Sequence, residues 1–337
     1  MRASNEVRRV CRSGETALIA FLMLARLQQL ITVSLVCVAT AWAVYCVQSG
    51  RPAWGGFGAA LILAGYAVFL GVEFLLLAWV QEAEPVPPPT PTDLLRAWWG
   101  EVLSAPLVFF WRQPFRSMSE PDHLEVSATG SRGVVFVHGF VCNRGFWNPW
   151  MKRMRATGVP FVAVNLEPLF DSISRYADTI DDAVRRVELA TGRPPVVVAH
   201  SMGGLAVRAW LEKFDSDGRV HRVITVGTPH GGTWLARYGS TVNSREMSLK
   251  SAWLTGLAAQ SNSHRHTLFT CFYSNCDNIV FPASSATLPG ADNRHIPATA
   301  HVHMAFQATV FNEVSRWLAG PDSSPAPTVA LRASAAQ

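Results

Sequence analysis

The residues best suited to chemistry lie between Val196 and Gly204, in the run VVVAHSMGG. Ser201 has Ala199 two positions before it and Gly203 two positions after it, between a β-branched run and a helical stretch reaching about Phe214. That is the pattern of a nucleophile elbow with Ala in place of the usual first Gly. The chain must pass from strand to helix so sharply that larger neighbours would collide, and the serine is held strained with its hydroxyl exposed. The helix that follows favours negative charge at its N-terminus. Upstream, Val134 to Val137 runs into His138-Gly139-Phe140. The backbone amides of Phe140 and Met202 are the expected pair of donors to an oxyanion, with Gly139 allowing close approach. His138 and His200 are expected to shape the site, His138 as a hydrogen-bonded structural side chain.

Positioning these groups requires a particular scaffold. From Gly133 onward, β-branched runs at Val134 to Val137, Phe161 to Val164, Pro195 to Ala199, Val220 to Val226 and Thr267 to Tyr273 alternate with helical stretches such as 173–191. Such alternation predicts an α/β fold, a mostly parallel sheet covered by helices on both faces. Active sites of such sheets gather at the carboxyl ends of the strands. His138, Ser201, His230 and Asp277 all fall at such ends.

The segments VVFVHGF, AHSMGGLAVR and VGTPHGGT, in this order, resemble the bacterial serine lipase/esterase branch of the α/β-hydrolases. They are also similar to GPI-inositol-deacylase-like hydrolases. The resemblance covers roughly residues 133–318 and implies the α/β-hydrolase fold with the order Ser, acid, His. It gives the acid to Asp277, which follows the Thr267 to Tyr273 strand and shortly precedes Val280, with Asp292 as the alternative. It puts the base in the loop before the last helix, where His301 and His303 both stand. Small residues before it and an apolar stretch after it favour His301; His303 is the fallback, and His295 is a third candidate. His230, in GTPHGG, is expected to shape the site wall. Residues 232–266, with Trp234, Leu235, Trp253 and Leu254, are expected to form a lid or cap. The implied activity is hydrolysis of carboxylic esters of lipids or other apolar acyl groups through an acyl-enzyme. Thioesterase, amidase or acyltransferase chemistry is open to the same triad, as is a catalytically silent membrane-bound interaction module. No metal or organic cofactor is called for, and no Cys/His cluster has zinc-ligand spacing.

The N-terminal quarter is of another kind. Of 337 residues, 49% are hydrophobic and only 16% charged, against roughly 25% charged in average chains, and the deficit is concentrated before residue 84. Two apolar runs, helices at about 28–48 and 57–80, are each long enough to cross a bilayer, which takes about 20 residues as helix, and the Gly- and Pro-containing turn between them predicts a transmembrane hairpin. Arg26 and the second run argue against a cleaved signal peptide. Arg2, Arg8, Arg9 and Arg12 precede the first run while the turn holds only Arg51. The positive-inside rule therefore puts the N-terminus, and after two spans the catalytic domain, in the cytoplasm, at a bacterial inner membrane given the resemblance. Glu73 inside the second run is expected at a helix-packing or headgroup-facing position. The organisation read from the sequence is an anchor at 1–84, a Pro-rich linker and aromatic-rich helical segment at 85–132, the catalytic domain at 133–320 and a disordered tail at 321–337. The aromatic-rich segment fits either a helix at the membrane interface or one packed on the catalytic domain. The net charge of +5 comes without the long basic run that nucleic-acid binding would need. The six cysteines read as free thiols rather than a disulfide framework. The expected partners are a lipid or apolar ester substrate and the membrane.

Overall fold

Six short strands form one sheet: β1 (Val134–Val137), β2 (Phe161–Ala163), β3 (Val196–His200), β4 (Arg222–Val226), β5 (Phe269–Tyr273) and β6 (Asp292–His295), in the order β2-β1-β3-β4-β5-β6. Every neighbouring pair is parallel. The computed structural model describes residues 2–80, 84, 86–125, 132–261 and 263–319, with side chains from residue 24 onward. The proposed tail at 321–337 lies outside the described residues, as do the side chains of Arg2, Arg8, Arg9 and Arg12. Five strands coincide with the β-branched runs to within a few residues. The sixth was not anticipated, because Asp292-Asn293-Arg294-His295 is a half-exposed edge strand with no apolar pattern.

In chain order the helices are α1 (Arg2–Gln48), α2 (Pro52–Trp79), α3 (Pro91–Pro106), α4 (Gln113–Arg116), α5 (Asn148–Ala156), α6 (Ala177–Thr191), α7 (Met202–Phe214), α8 (Val242–Glu246), α9 (Ala252–Gln260), α10 (Ser263–His266), α11 (His301–Met304) and α12 (Ala308–Ala319). Strand side chains alternate between the two faces of the sheet. Val135, Val137, Val197, Ala199 and Val223 pack with residues of α6 and α7. Val134, Phe136, Val196, Val198 and Ile224 pack on the other face against Trp150, Met151 and Met154 of α5 and Val310 and Val314 of α12.

The two apolar helices form a hairpin. The second starts at Pro52 rather than near residue 57, since proline's fixed φ and missing N–H suit the first helical turn. Gly50, at φ 72°, makes the turn, and Trp42 Nε1 donates to the Trp54 carbonyl at 3.1 Å across it. Next comes α3, begun by a reciprocal cap in which Thr90 Oγ1 accepts from Asp93 N and Asp93 Oδ2 accepts from Thr90 N. Pro106 then removes a donor, and the helix widens into a π-helical segment, Leu107–Arg112, in which Phe109 and Phe110 sit.

The aromatic-rich segment packs on both the hairpin and the sheet domain. Tyr66 Oη donates to the Val102 carbonyl and Trp98 Nε1 to the Ala67 carbonyl, each at 2.9 Å, fixing α3 to α2. Phe74 and Leu77 of α2 and Ala97 of α3 share an apolar cluster with Trp234, Cys276, Phe281 and Ala300 of the sheet domain. The outer side of the segment is exposed and apolar. Residues 232–266 differ from the expected lid. Ala236, Met247 and Leu254 are buried in the cluster over α6 and α7, and Trp234 stacks on Phe281 with ring centroids 5.9 Å apart. The apolar side chains that suggested a cap are the ones that bury this segment against the core.

Trp147 is fully buried among Phe136, Phe146 and Trp150. Trp147→Ala is expected to lower stability by about 3–5 kcal/mol, measured by urea denaturation of the full chain in detergent; a loss under about 1 kcal/mol would contradict this core.

Candidate active site

Ser201 follows β3 directly and caps α7 with φ 55° and ψ −131°. A non-glycine residue there costs about 1–3 kcal/mol and persists only where its surroundings over-determine it. They do so here. Ser201 N donates to the Val226 carbonyl at 2.9 Å, and the Ser201 carbonyl accepts from Gly204 N at 3.1 Å and from Thr228 Oγ1 at 2.9 Å. The small neighbours are obligatory. A Cβ on Gly203 would lie 2.5 Å from the His138 carbonyl oxygen, and one on Gly139 would lie 2.7 Å from Ser201 Cβ. The loop after β1 thus presses against the serine, bringing Phe140 to the lining of the same cavity, while Met202 opens α7. Val141 beside Phe140 also has a positive φ, 52°.

His301 and Asp277 come together from two loops. His301 Nδ1 lies 2.9 and 3.0 Å from the two oxygens of Asp277. Asp277 Oδ1 also accepts from the backbone N–H groups of Ile279 and Val280 at 2.9 and 2.8 Å. Both side chains are buried. Burial pulls the His301 imidazolium down, but the Asp277 charge and hydrogen bond, with Glu101 and Glu73 behind them, outweigh it and the net direction is upward. With Nδ1 facing Asp277, Nε2 is left for the cavity that His301 and Ser201 share.

The other candidates are elsewhere. His303 pairs through Nε2 with Gln307 Nε2 at 2.8 Å, and burial lowers its pKa. Asp292 pairs with Arg294 at 2.7 Å on the sheet edge, and His295 accepts from Asn275 N at 3.3 Å. His138 Nδ1 meets the Gly139 carbonyl at 2.9 Å while Nε2 accepts from Leu166 N at 3.0 Å. Burial takes it down to about 4, so it is a neutral structural link. His200 is sandwiched between Phe146 and His301, each ring centroid 4.5 Å away, and its Nε2 meets the His301 carbonyl at 3.2 Å. Burial, then the nearby His301 charge, holds it well below the usual imidazole range. His230, expected to shape the site wall, instead lies under the sheet end: its Nε2 is 3.1 Å from Thr225 Oγ1, and it does not line the cavity.

The cavity has a volume of about 650 Å³. Its floor is Gly139 to Cys142, His200, Ser201, Asn278, Ile279, His301 and Val302, and its walls are Tyr66, Phe69, Leu70 and Glu73 of α2 with Glu101, Ala105, Pro106, Phe109 and Phe110. No residue of 232–266 contributes among the described ones. Sequence reasoning missed four residues here. Glu101 Oε1 and Oε2 accept from the backbone N–H groups of Val302 and His303 at 3.0 and 2.9 Å, and burial raises this carboxyl to about 7 against those hydrogen bonds. Asn278 Oδ1 accepts from His301 N at 3.2 Å, and Asn278 Nδ2 donates to Glu73 Oε2 at 2.6 Å. Gly227, at φ 57°, leaves room for the pair: its Cβ would lie 3.0 Å from both Asp277 Oδ2 and His301 Nδ1. Only Gly227 carried a signal, as the first residue of a Gly-Thr-Pro loop closing a strand. Among the described residues no group of three or more His, Cys, Asp or Glu side chains could hold a metal ion.

A parallel sheet with a strained serine between its central strand and the following helix defines an α/β-hydrolase. The chain belongs to the alpha/beta hydrolase family, whose sequence profile matches residues 134–332. Among solved structures it resembles a mature lipase of Bacillus licheniformis, at 18% identity and a TM-score of 0.51, over 57% of this chain and 95% of that one. It also superposes on lipase B of Aspergillus fumigatus, at 17% identity and a TM-score of 0.48, over 54% of this chain and 51% of that one. No curated protein sequence gives a significant match.

Gly227 and Gly192 both have positive φ, but a Cβ on Gly192 would meet nothing within 4 Å. Both changes to Ala are expected to be strained, and Gly227→Ala is expected to cost about 1 kcal/mol more than Gly192→Ala, as read by urea denaturation. Equal losses would show that the Asp277–His301 pair does not crowd that position.

Proposed function

We propose that the protein is a membrane-anchored serine hydrolase that cleaves carboxylic esters of lipids or other apolar acyl groups. The observation that carries this reading is a strained Ser201 lining the same cavity as a His301 that is held through Nδ1 by a buried Asp277. In the proposed reaction, Ser201 Oγ attacks the ester carbonyl carbon and gives its proton to His301 Nε2. The amides of Phe140 and Met202 hold the oxyanion. As the tetrahedral species collapses, the carbonyl carbon–alkoxy oxygen bond breaks and His301 returns the proton to the leaving alcohol. Water, deprotonated by the same His301, then cleaves the acyl-enzyme and releases the carboxylic acid. Asp277 fixes the tautomer and stabilises the imidazolium. The largely apolar cavity supports the choice of an apolar acyl group over a polar one.

Membrane anchoring rests on the two helices, Leu24–Gln48 and Pro52–Trp79, that are long and apolar enough to span a bilayer. The basic residues before the first helix support a cytoplasmic catalytic domain. Labelling of engineered cysteines in the sheet domain by an impermeant reagent on intact cells would reverse that orientation.

A fluorophosphonate probe is expected to label the folded protein and not its Ser201→Ala variant; equal labelling of both would remove Ser201 as nucleophile. His301→Ala is expected to lower kcat on the order of 10⁴-fold or more, against less than about tenfold for His303→Ala. The reverse ranking would make His303 the base.

The base works in its neutral form, so kcat/KM should fall as pH drops through the pKa of His301. Since that pKa is raised, the acid limb is expected above the ordinary value of 6.5. Burial pulls it down, but Asp277, Glu101 and Glu73 together push it up by more. Glu101→Gln, which removes one of those charges, is expected to move the limb to lower pH. A limb at or below 6.5 in the wild type, or one unmoved by Glu101→Gln, contradicts this electrostatic account.

A further inference from the structure

The active-site cavity, the exposed apolar faces and a buried carboxylate outside the Asp277–His301 pair meet at one place, the face of α2 from Tyr66 to Glu73. Tyr66, Phe69 and Leu70 line the cavity that contains Ser201, yet all three lie within the second bilayer-length helix. Phe69 is 65% exposed while lining the cavity, so it stands at the rim, and the cavity opens at the surface of that helix. Phe109 and Phe110 line it too, and Phe110 packs edge-on against Tyr66 with ring centroids 5.9 Å apart. Along the same aromatic-rich segment, Leu95, Trp99, Leu103, Leu107, Trp111 and Phe115 are all exposed, one at every fourth residue, which makes an apolar ridge winding along the helix. A ridge of this kind continuous with two bilayer-length helices fits lipid acyl chains as its covering, because their outer faces are apolar as well.

We propose that α2 is a working wall of the active site as well as a tether. This rests on the reading of Ser201 as an ester-cleaving nucleophile. The substrate is a membrane-resident acyl lipid whose chain passes from the bilayer between Phe69–Leu70 and Phe109, with its ester at Ser201. The same helix also positions the base. Glu73 lies one turn beyond Leu70, and a carboxylate in an apolar helix is costly unless a specific partner repays it. That partner is Asn278, whose other side-chain atom holds the backbone N–H of His301. Glu73 is therefore a positioning residue that reaches the reacting atoms through Asn278.

Both parts are testable on the full chain in phosphatidylcholine vesicles, with p-nitrophenyl esters as probes. Leu70→Trp narrows the channel, and Phe69→Trp crowds its rim at an exposed position that folding does not depend on. In each, the ratio of kcat/KM for the dodecanoate over the acetate ester is expected to fall by about tenfold or more. A wild type that cleaves both esters, with both variants keeping the wild-type ratio, overturns the acyl wall. A wild type that cleaves neither ester and takes up no fluorophosphonate removes the ester-hydrolase reading itself, and this proposal with it. For the positioning role, Glu73→Leu is expected to lower kcat per fluorophosphonate-titrated site about tenfold or more with KM little changed, and Glu73→Gln, which keeps an acceptor for Asn278, to restore most of it. Loss of titratable sites with unchanged kcat per site would make Glu73 merely structural.

Discussion

A buried carboxylate beside a buried imidazole is tolerable only where hydrogen bonds make up for much of their lost hydration, and much of the structure near Ser201 follows from that condition. Asp277 draws two backbone N–H groups from its own loop. His301 has its backbone N–H taken by Asn278 and its carbonyl by His200. The first turn after His301 is held by Glu101. The room needed for the pair explains a glycine at position 227, where the chain leaves β4. The loops at the ends of β3, β4 and β5 are thus parts of one polar assembly sealed by apolar contacts on both sides.

Two of the groups in that assembly come from outside the sheet domain. Glu73 belongs to α2 and Glu101 to α3. A third connection reaches the loop after β1. Gln113 Oε1 accepts from Asn143 N at 3.0 Å, Gln29 Nε2 of α1 donates to the Pro114 carbonyl at 2.6 Å, and so α1 and the loop bearing Phe140 are joined through one short stretch of chain. Even the linker is attached, with Asn275 Nδ2 donating to the Pro87 carbonyl at 3.1 Å, and just before it Glu84 accepts from Ser284 N at 2.6 Å. The proline-rich run works here as a bound strap along the loop that carries Asp277, a role its composition alone does not disclose.

The difference between what could and could not be read from the sequence has a physical origin. Ser201, Gly139 and Gly203 announce themselves because a strand-to-helix reversal dictates residue size at fixed spacing, which is local information. The parallel sheet is equally legible, since buried strands demand continuous β-branched runs; β6, exposed at an edge, demands nothing of the kind and was missed. His301 and His303 could be ranked only by neighbouring residues, whereas their surroundings differ sharply: one imidazole meets Asp277 and the other Gln307. Glu73 and Glu101 were invisible as site residues because their partners lie 205 and 201 or 202 positions away. Glu73 in particular looked like an isolated charge in an apolar run, best placed at a helix-packing or headgroup position, until the fold set it against Asn278. The supposed lid failed for a related reason: an apolar stretch of 232–266 says that it is buried but not against what.

That last failure explains the cover over the cavity. A hydrolase sheet leaves its reacting serine at the rim, where water competes for every developing charge, and some apolar element must close over it. In this chain the residues after β4 are committed to the core over α6 and α7, so the closure falls to α2 and the π-helical turn after Pro106. The wider π turn suits that duty, because it sets Phe109 and Phe110 on the cavity while Val108 is buried in the core and Leu107 and Trp111 stay on the exposed side. One segment can then face the sheet, the cavity and the outside at once, which a narrower amphipathic helix with a single apolar stripe does less readily. The elements that cover the cavity are consequently drawn from the apolar hairpin and the segment after it, so the cavity is shared between the sheet domain and the N-terminal helices.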